Sequence, residues 1–170
     1  GEVVDNCVGT GSITRGIEIV KAQYGYASEI IIYGMLPPNL VESSTYFKKI
    51  TLVDIDSLPF RAFDGLTGME EIIGMENVVS LDTGTFGSCH ALKTVNLNPN
   101  LTSIQPQTFL NCRALEKLDV PESVKSIGDK AFEEFRTLPS INLQNCETIG
   151  NRAFYNCTSL KNVVLSDSLK

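Results

Sequence analysis

A phenylalanine returns at a nearly constant interval through most of this 170-residue chain. The repeating phenylalanines, separated by 23, 23, 23 and 22 residues, are Phe63, Phe86, Phe109, Phe132 and Phe154. Apolar residues recur three, six, nine and eleven positions after each one, as in Cys112, Leu115, Leu118 and Val120. A unit this short cannot bury its own apolar face, so successive units must stack as coils around a shared core. The period therefore predicts a repeat solenoid.

Each unit also contains a short stretch in which polar and apolar residues alternate. The segments 94–97 (TVNL) and 117–120 (KLDV) are two examples. A period of two is typical of a half-buried β-strand. The segment 129–135 is too short for an independent helix and predicts a helical or 3-10 turn. We therefore expect a right-handed coil of short parallel strands with helical or 3-10 turns, bent into an arc.

Two segments carry a family signature. The stretches IGDKAF (127–132) and IGNRAFYNCTSL (149–160) resemble the BspA-like leucine-rich repeats, also called the Treponema pallidum type, and the resemblance covers roughly residues 55–170. It implies a leucine-rich-repeat solenoid in a secreted or surface-attached protein of bacteria or parasitic protists, often an adhesin that binds host matrix proteins. In earlier units Pro59, Asp82 and Gln105 replace the glycine of the signature. The turn at this position therefore does not require dihedral angles that only glycine adopts.

These patterns divide the chain into two parts. Residues 41–170 form the solenoid, with about five units of 22–23 residues after an incomplete copy that begins near Val41. Residues 1–40 do not fit the period, and the strand-like stretches Gly16–Lys21 and Glu29–Tyr33 predict a β-rich N-terminal cap or a degenerate repeat. The sequence stops at Lys170, before the next signature phenylalanine. This favours an array that continues beyond Lys170, rather than one that ends there in a short cap.

Composition narrows the function classes. The chain has 14 basic and 20 acidic residues, for a net charge of −6. Non-specific nucleic-acid affinity comes from clustered lysines and arginines, so this balance argues against a nucleic-acid partner. No apolar run approaches the ~20 residues of a transmembrane helix. The single histidine leaves few groups for acid–base chemistry near neutral pH.

The reactive side chains do not form a catalytic or metal-binding pattern. Cys89, Cys112 and Cys157 share one inward position of the repeat, so we expect a ladder of reduced, buried thiols rather than disulfides. Cys7 lies outside this ladder. Alternation turns His90 away from Cys89, and no Cys-x-x-Cys or histidine-rich spacing exists for a metal. We therefore predict no catalytic, metal-binding or cofactor-binding residues and no enzyme activity.

One position of the repeat changes sign from coil to coil. Seven residues after the repeating phenylalanine, and at the equivalent place upstream, lie Lys48, Glu70, Lys93, Glu116, Pro139 and Lys161. Opposite charges on stacked coils support each other, and each exposed pair contributes from a few tenths of a kcal/mol to ~1 kcal/mol. We interpret this charged row as reinforcement of the coil register rather than as a binding site.

The outward side chains of the strands predict a partner-binding surface on the concave face of the arc. In the middle coils these side chains are Thr94, Asn96, Lys117, Asp119, Ser140 and Asn142. None is a large aromatic anchor, so two interpretations stay open: an ordinary sheet face, or a broad surface for an extended protein partner.

The resemblance, rather than composition or spacing, carries the expected function. It implies an extracytoplasmic protein–protein interaction module, secreted or at the cell surface, that acts in adhesion or binds a host protein through the concave strand face. We expect no nucleic-acid partner and no transmembrane segment in this chain. The alternative is a structural spacer that displays another domain of a longer protein.

Overall fold

The structure is a computed structural model that describes residues 2–4, 16–23, 26–36, 40 and 46–170. Its short strands stack from coil to coil as a parallel-strand β-solenoid. Within the described ranges the strands are β1 (Glu2–Val4), β2 (Gly16–Gln23), β3 (Tyr26–Tyr33), β4 (Lys49–Val53), β5 (Ser57–Leu58), β6 (Glu71–Ile73), β7 (Ser80–Leu81), β8 (Ser103–Ile104), β9 (Ser126–Ile127), β10 (Ser140–Leu143), β11 (Thr148–Ile149) and β12 (Asn162–Leu165).

The N-terminal strands begin an antiparallel sheet that becomes parallel at β3. Strand β2 pairs with β1 and β3 in antiparallel fashion, and both predicted strand-like stretches lie within β2 and β3. Strand β3 then pairs in parallel with β4, which places Ile30 beside Ile50. The sheet therefore joins the N-terminal hairpin directly to the first coil. Cys7 and Val41 lie outside the described residues.

The repeating phenylalanines form one continuous file inside the solenoid, as the period predicts. Neighbouring rings are stacked with centroids 5.6 Å, 5.5 Å, 5.8 Å and 5.1 Å apart from Phe63 to Phe154. All of them are fully buried except the half-buried Phe154. Each aromatic pair adds about 0.5–1.5 kcal/mol beyond the burial of its area. The file therefore fixes the coils in step from the inside.

The described cysteines are free thiols with a shared structural role. The Sγ of Cys89 donates to the carbonyl of Phe63, one coil earlier, at 3.2 Å. Cys112 repeats this bond to Phe86 at 3.2 Å, and Cys157 repeats it to Phe132 at 3.1 Å. Burial raises the pKa of the Cys89 thiol well above its usual range, so this thiol stays protonated at neutral pH. The predicted ladder of reduced thiols is confirmed for these three residues.

The turn around each phenylalanine contains the i to i−3 hydrogen bonds of the predicted 3-10 turn, but its backbone angles alternate. Two positions per turn adopt left-handed backbone angles, with φ of 56° at Lys130 and 64° at Glu134 in one coil. The same two positions are left-handed in the other coils, at Arg61, Gly65, Gly84, Ser88, Gln107, Asn111, Arg152 and Asn156. These single left-handed residues interrupt the right-handed path, so the segment 129–135 is a series of i to i−3 turns rather than a continuous helix.

This alternation lets the turn bond to its neighbour as well as to itself. The N–H groups of Lys130, Phe132 and Glu134 donate to carbonyls of the next coil at 2.9 Å, 2.8 Å and 2.9 Å. The intervening N–H groups close i to i−3 bonds within the coil, as Ala131 does to Gly128 at 3.3 Å. A helix would direct every N–H along its own axis, whereas this turn ties successive coils together.

Two glycines serve different purposes. Gly128 has no positive φ, which agrees with the prediction that its turn does not require glycine dihedral angles; a Cβ there would lie 2.4 Å from the backbone nitrogen of Pro106. Gly74 has a φ of 92°, and its Cβ would lie 2.3 Å from the carbonyl oxygen of Leu52. Other units carry leucine or valine at the position of Gly74. In this unit the chain turns there, and the buried Met75 fills the core instead.

Candidate functional site

The outward sides of the parallel strands lie along one side of the solenoid, which we call the strand face. It comprises the outward side chains of β3, β4, β6, β10 and β12, together with residues 94–97 and 117–120 between them. Parallel bridges join Glu71 to Thr94 and Thr94 to Lys117. The six residues predicted to bind a partner are all exposed here: Thr94, Asn96, Lys117, Asp119, Ser140 and Asn142.

The charged row borders the strand face, and its first three members, Lys48, Glu70 and Lys93, pair as predicted. The Oε2 of Glu70 lies 2.6 Å from the Nζ of Lys93, and its Oε1 lies 3.4 Å from the Nζ of Lys48. The hydrogen bond and positive charge of Lys93 lower the pKa of Glu70, and Glu70 in turn raises the pKa of Lys93. The row therefore links neighbouring coils through side chains at this end of the solenoid.

The backbone of the same row also links coils, through a carbonyl that accepts two N–H groups. The carbonyl of Lys48 accepts from Glu70 at 2.8 Å and from Glu71 at 3.1 Å. The carbonyl of Pro139 likewise accepts from the N–H groups of Lys161, at 2.9 Å, and Asn162, at 3.3 Å. These bonds hold the strands together at both ends of the strand face.

Between the two ends this pattern is incomplete. The carbonyl of Glu70 accepts only the N–H of Lys93, at 3.0 Å, and the next member of the row after Glu116 is Pro139. Proline has no N–H, so it cannot donate to the carbonyl of Glu116 in the preceding coil. No bridge joins Lys117 to β10, and no backbone hydrogen bond connects residues 116–120 to residues 139–143, all of which the structure describes. The strand face is therefore open between these two coils.

The opening is confined to the strand face, because the same two coils are joined elsewhere. Before the opening, the rings of Phe109 and Phe132 stack with an interplanar angle of 3°. After it, β9 and β11 pair in register. The hydroxyl of Thr137 also donates to the carbonyl of Leu115 at 2.7 Å, next to the proline. The coils thus stay stacked while their strands separate.

The opening forms a cleft of about 420 Å³, which we call the Pro139 cleft. Its walls are the segment 116–120 and β10, and Asn162 and Val164 of β12 extend one wall. Four of the predicted site residues line it, namely Lys117, Asp119, Ser140 and Asn142. The other two, Thr94 and Asn96, lie on the strand face outside its lining.

The Pro139 cleft has an apolar floor and an acidic rim. Buried Leu118 and Ile141 lie at its base. Three carboxylates line it, those of Glu116, Asp119 and Glu122, against a single lysine. That lysine is Lys117, and its Nζ lies 2.9 Å from Asp119 Oδ2 with both side chains exposed. The cleft therefore favours a cationic group over an anionic one.

The lining of the Pro139 cleft contains neither histidine nor cysteine. The single histidine, His90, instead has its Nε2 3.1 Å from Asn111 Nδ2. Partial burial and the charge of Arg113 lower the pKa of His90. Cys89 directs its thiol inward to a carbonyl, so it and His90 do not form a catalytic pair. Among the residues described, no cluster of three or more histidine, cysteine, aspartate or glutamate side chains is placed to hold a metal.

Sequence reasoning missed the feature that shapes this site. Glu116 and Pro139 were assigned to the charged row and interpreted only as register reinforcement. The available signal was the proline itself, because a proline inside an otherwise regular strand position removes a ladder hydrogen bond. Glu122 carried no comparable signal, since it follows the strand segment in a turn.

Comparison with known proteins identifies the repeat. The sequence profile of the BspA type leucine rich repeat region matches residues 43–170 in six copies. The chain belongs to this family. Among curated proteins, none matches the chain.

Three solved structures have a similar fold. A leucine rich cell surface protein from Faecalibacterium prausnitzii is 26% identical with a TM-score of 0.66, and the match covers 70% of this chain and 33% of that protein. The leucine rich repeat protein of T. pallidum is 21% identical with a TM-score of 0.67, over 84% of this chain and 78% of that one. A leucine-rich repeat protein from Bacteroides ovatus is 23% identical with a TM-score of 0.69, and the match covers 91% of this chain and 41% of that protein. The last two similarities concern the fold alone.

This chain spans about a third of the Faecalibacterium protein that it resembles. Among the residues that the structure describes, no helix is long and apolar enough to span a bilayer.

Proposed function

We propose that this BspA-type chain is a non-enzymatic protein–protein interaction module outside the cytoplasm, at a cell surface or secreted. It binds a protein of a host or neighbouring cell through the strand face. The observation that carries the proposal is the strand face itself: a wide exposed surface, opened at one point into the acidic Pro139 cleft.

The surface location is supported by similarity. The Faecalibacterium protein is named as a cell surface protein and is 26% identical over 70% of this chain. The family profile matches residues 43–170, which include most of the solenoid. We extend this cell-surface location to the present chain as part of the proposal.

A protein partner suits the strand face better than a compact ligand does. Standard protein interfaces bury ≈ 800 Å² on each partner, and their polar rims tolerate exposed charged groups. The strand face offers polar side chains at regular strand spacing, such as Asn96 and Asp119, rather than one deep enclosed pocket. Repetition of the coil supplies this width, and the sequence varies the side chains without changing the core.

A solid-phase panel of extracellular matrix and cell-surface proteins tests the proposal. The variant carries Asn96→Ala, Lys117→Ala and Asp119→Ala together, all on the strand face. The matched control removes one amide, one amine and one carboxylate elsewhere, with the exposed residues Asn77→Ala, Lys125→Ala and Asp56→Ala. Saturable binding that the first variant loses and the control keeps supports the strand face.

Two results contradict the proposal. Binding that survives in the strand-face variant and disappears in the control places the contact on another surface. Absence of saturable binding to any protein of the panel favours the alternative of a structural spacer. Circular dichroism of both variants confirms that the solenoid is folded in each case.

A further inference from the structure

We infer that the Pro139 cleft binds an extended peptide segment of the partner that carries a basic side chain at its centre. This inference deepens the proposed function and rests on it, because it assigns a chemistry to one part of the strand face. It follows from three features of the cleft: its backbone groups, its shape and its charge.

The backbone of the cleft offers hydrogen-bonding groups that the two ends of the strand face use to join neighbouring coils. The carbonyl of Glu116 accepts no N–H from residues 139–143, whereas the equivalent carbonyls of Lys48 and Pro139 each accept two. On the opposite wall, no backbone bond ties the N–H groups of Ser140 and Asn142 to residues 116–120. Exposed strand edges of this kind bind extended peptides through main-chain hydrogen bonds.

The shape of the cleft suits a chain rather than a compact molecule. A second cleft of about 440 Å³ lies on the other side of the segment that contains Asp119, Val120 and Glu122. These three residues line both clefts, so the two continue one another across the edge of the strand face. Half-buried Leu97 in the second cleft and buried Ile141 in the first provide apolar contacts along this path. An extended segment places alternate side chains toward such a floor.

The negative charge of the cleft favours a basic side chain at the centre of the bound segment. The carboxylates of Glu116, Asp119 and Glu122 outnumber the single ammonium of Lys117, which Asp119 already pairs. An arginine can bind a carboxylate in bidentate geometry, and a lysine binds it as a point charge. An acidic segment would meet like charge on the rim, which lowers its affinity. The partner segment is therefore basic.

A nuclear magnetic resonance titration of the isotope-labelled chain tests this inference with a defined probe. The probe is a six-residue peptide of alternating valine and arginine, acetylated and amidated at its ends. A matched peptide replaces each arginine with glutamate. We expect the arginine peptide to shift the amide signals of Ser140, Asn142 and Glu122, and the glutamate peptide to leave them in place.

Variants separate the cleft from general attraction to an acidic protein. The double variant Glu116→Gln and Asp119→Asn should weaken binding of the arginine peptide about tenfold, which corresponds to about 1.4 kcal/mol. The single variant Glu76→Gln removes an exposed carboxylate outside the cleft and should leave the affinity unchanged. Equal weakening in both variants overturns the inference, as does binding of the glutamate peptide with the same affinity.

The outcome also distinguishes this inference from the proposed function. If the panel protein loses binding in the strand-face variant but the arginine peptide does not shift the cleft signals, the inference fails and the proposed function stands. If the arginine peptide binds the cleft but no panel protein depends on the strand face, the proposed function fails and the peptide site is supported. Peptide-induced shifts confined to residues outside the cleft overturn the inference.

Discussion

The strand face has a closed half and an open half, built from the same repeat. In the closed half, β4 and β6 pair in register, and Glu70 joins Lys48 and Lys93 across three coils. In the open half, the equivalent position holds Pro139, and the segment 117–120 does not pair with β10. Pro139 thus lies where the bridges between successive coils end and the cleft begins.

The comparison shows that the core, and not the strand face, holds the coils in step. The phenylalanine rings of the open half are as close as those of the closed half, at 5.8 Å against 5.6 Å. Buried apolar contacts supply most of the stability of such a stack. The strand face can therefore lose a ladder at one point and gain a binding surface without loss of the fold.

The largest expected effect comes from the core that both halves share. Phe109→Ala leaves a cavity in the phenylalanine file, and we expect it to lower the free energy of unfolding by about 3–5 kcal/mol. Phe60→Ala is the matched control, because that ring is 60% exposed. Urea denaturation measures both. A loss of less than about 1 kcal/mol for Phe109→Ala would contradict the role given to the file.

A smaller effect is expected from the backbone of the closed half. Gly74→Ala combines a φ of 92° with a Cβ only 2.3 Å from the Leu52 carbonyl, so we expect a loss of about 2–3 kcal/mol. Gly84→Ala is the control, since its φ is also positive, at 69°, but its Cβ would approach only the flexible side chain of Arg61, at 3.0 Å. Thermal unfolding should rank Gly74→Ala as the more destabilised variant, and the reverse order would contradict this description of the turn.

When an N–H is restored at position 139 in the open half, we expect almost no change in the free energy of unfolding. Pro139→Ala supplies the missing donor, worth about 0.5–1.5 kcal/mol, but the unfolded chain regains about 0.4–1 kcal/mol of freedom. The informative readout is hydrogen exchange at the new alanine amide, which should be slow because it bonds to Glu116. Pro121→Ala, at the neighbouring turn, serves as the control. Rapid exchange at position 139 would show that proline is not the cause of the opening.

The smallest effect concerns the charges of the closed half. Because Lys93 lowers the pKa of Glu70 below 4.5, the carboxylate adds stability above pH 4.5 that is lost as the pH falls through the lowered value. Lys93→Met should reduce this dependence, and 1 M salt should weaken it in the parent chain. Urea denaturation at several pH values measures the slope. An identical slope in the variant would show that the Glu70–Lys93 pair does not contribute to the pH dependence of stability.

The sequence predicted those parts of the fold that depend on burial. The spacing of the phenylalanines and of Cys89 and Cys112 placed both sets in the core, because buried positions recur wherever coils stack. The alternating charges of Glu70 and Lys93 also paired as predicted. These features follow from side-chain identity and period alone.

The turns and the cleft depend on backbone geometry, which side-chain patterns describe poorly. Lys130 and Glu134 have ordinary side chains but left-handed angles, so the pattern indicated the i to i−3 turns without indicating the left-handed residues between them. The predicted strand at 117–120 has the correct alternation, yet it finds no partner in β10. Its pairing was decided by Pro139, 22 residues away from Lys117.

Amide hydrogen exchange along the strand face tests the central comparison most directly. Glu71 and Asn162 donate to carbonyls of the preceding coil, so their amides should exchange slowly. Ser140 occupies the equivalent strand position beside the opening and Asn142 lies two residues further along, and the account predicts rapid exchange for both. Protection of Ser140 and Asn142 to the level of Glu71 would mean that the strand face is closed throughout, which would contradict the cleft.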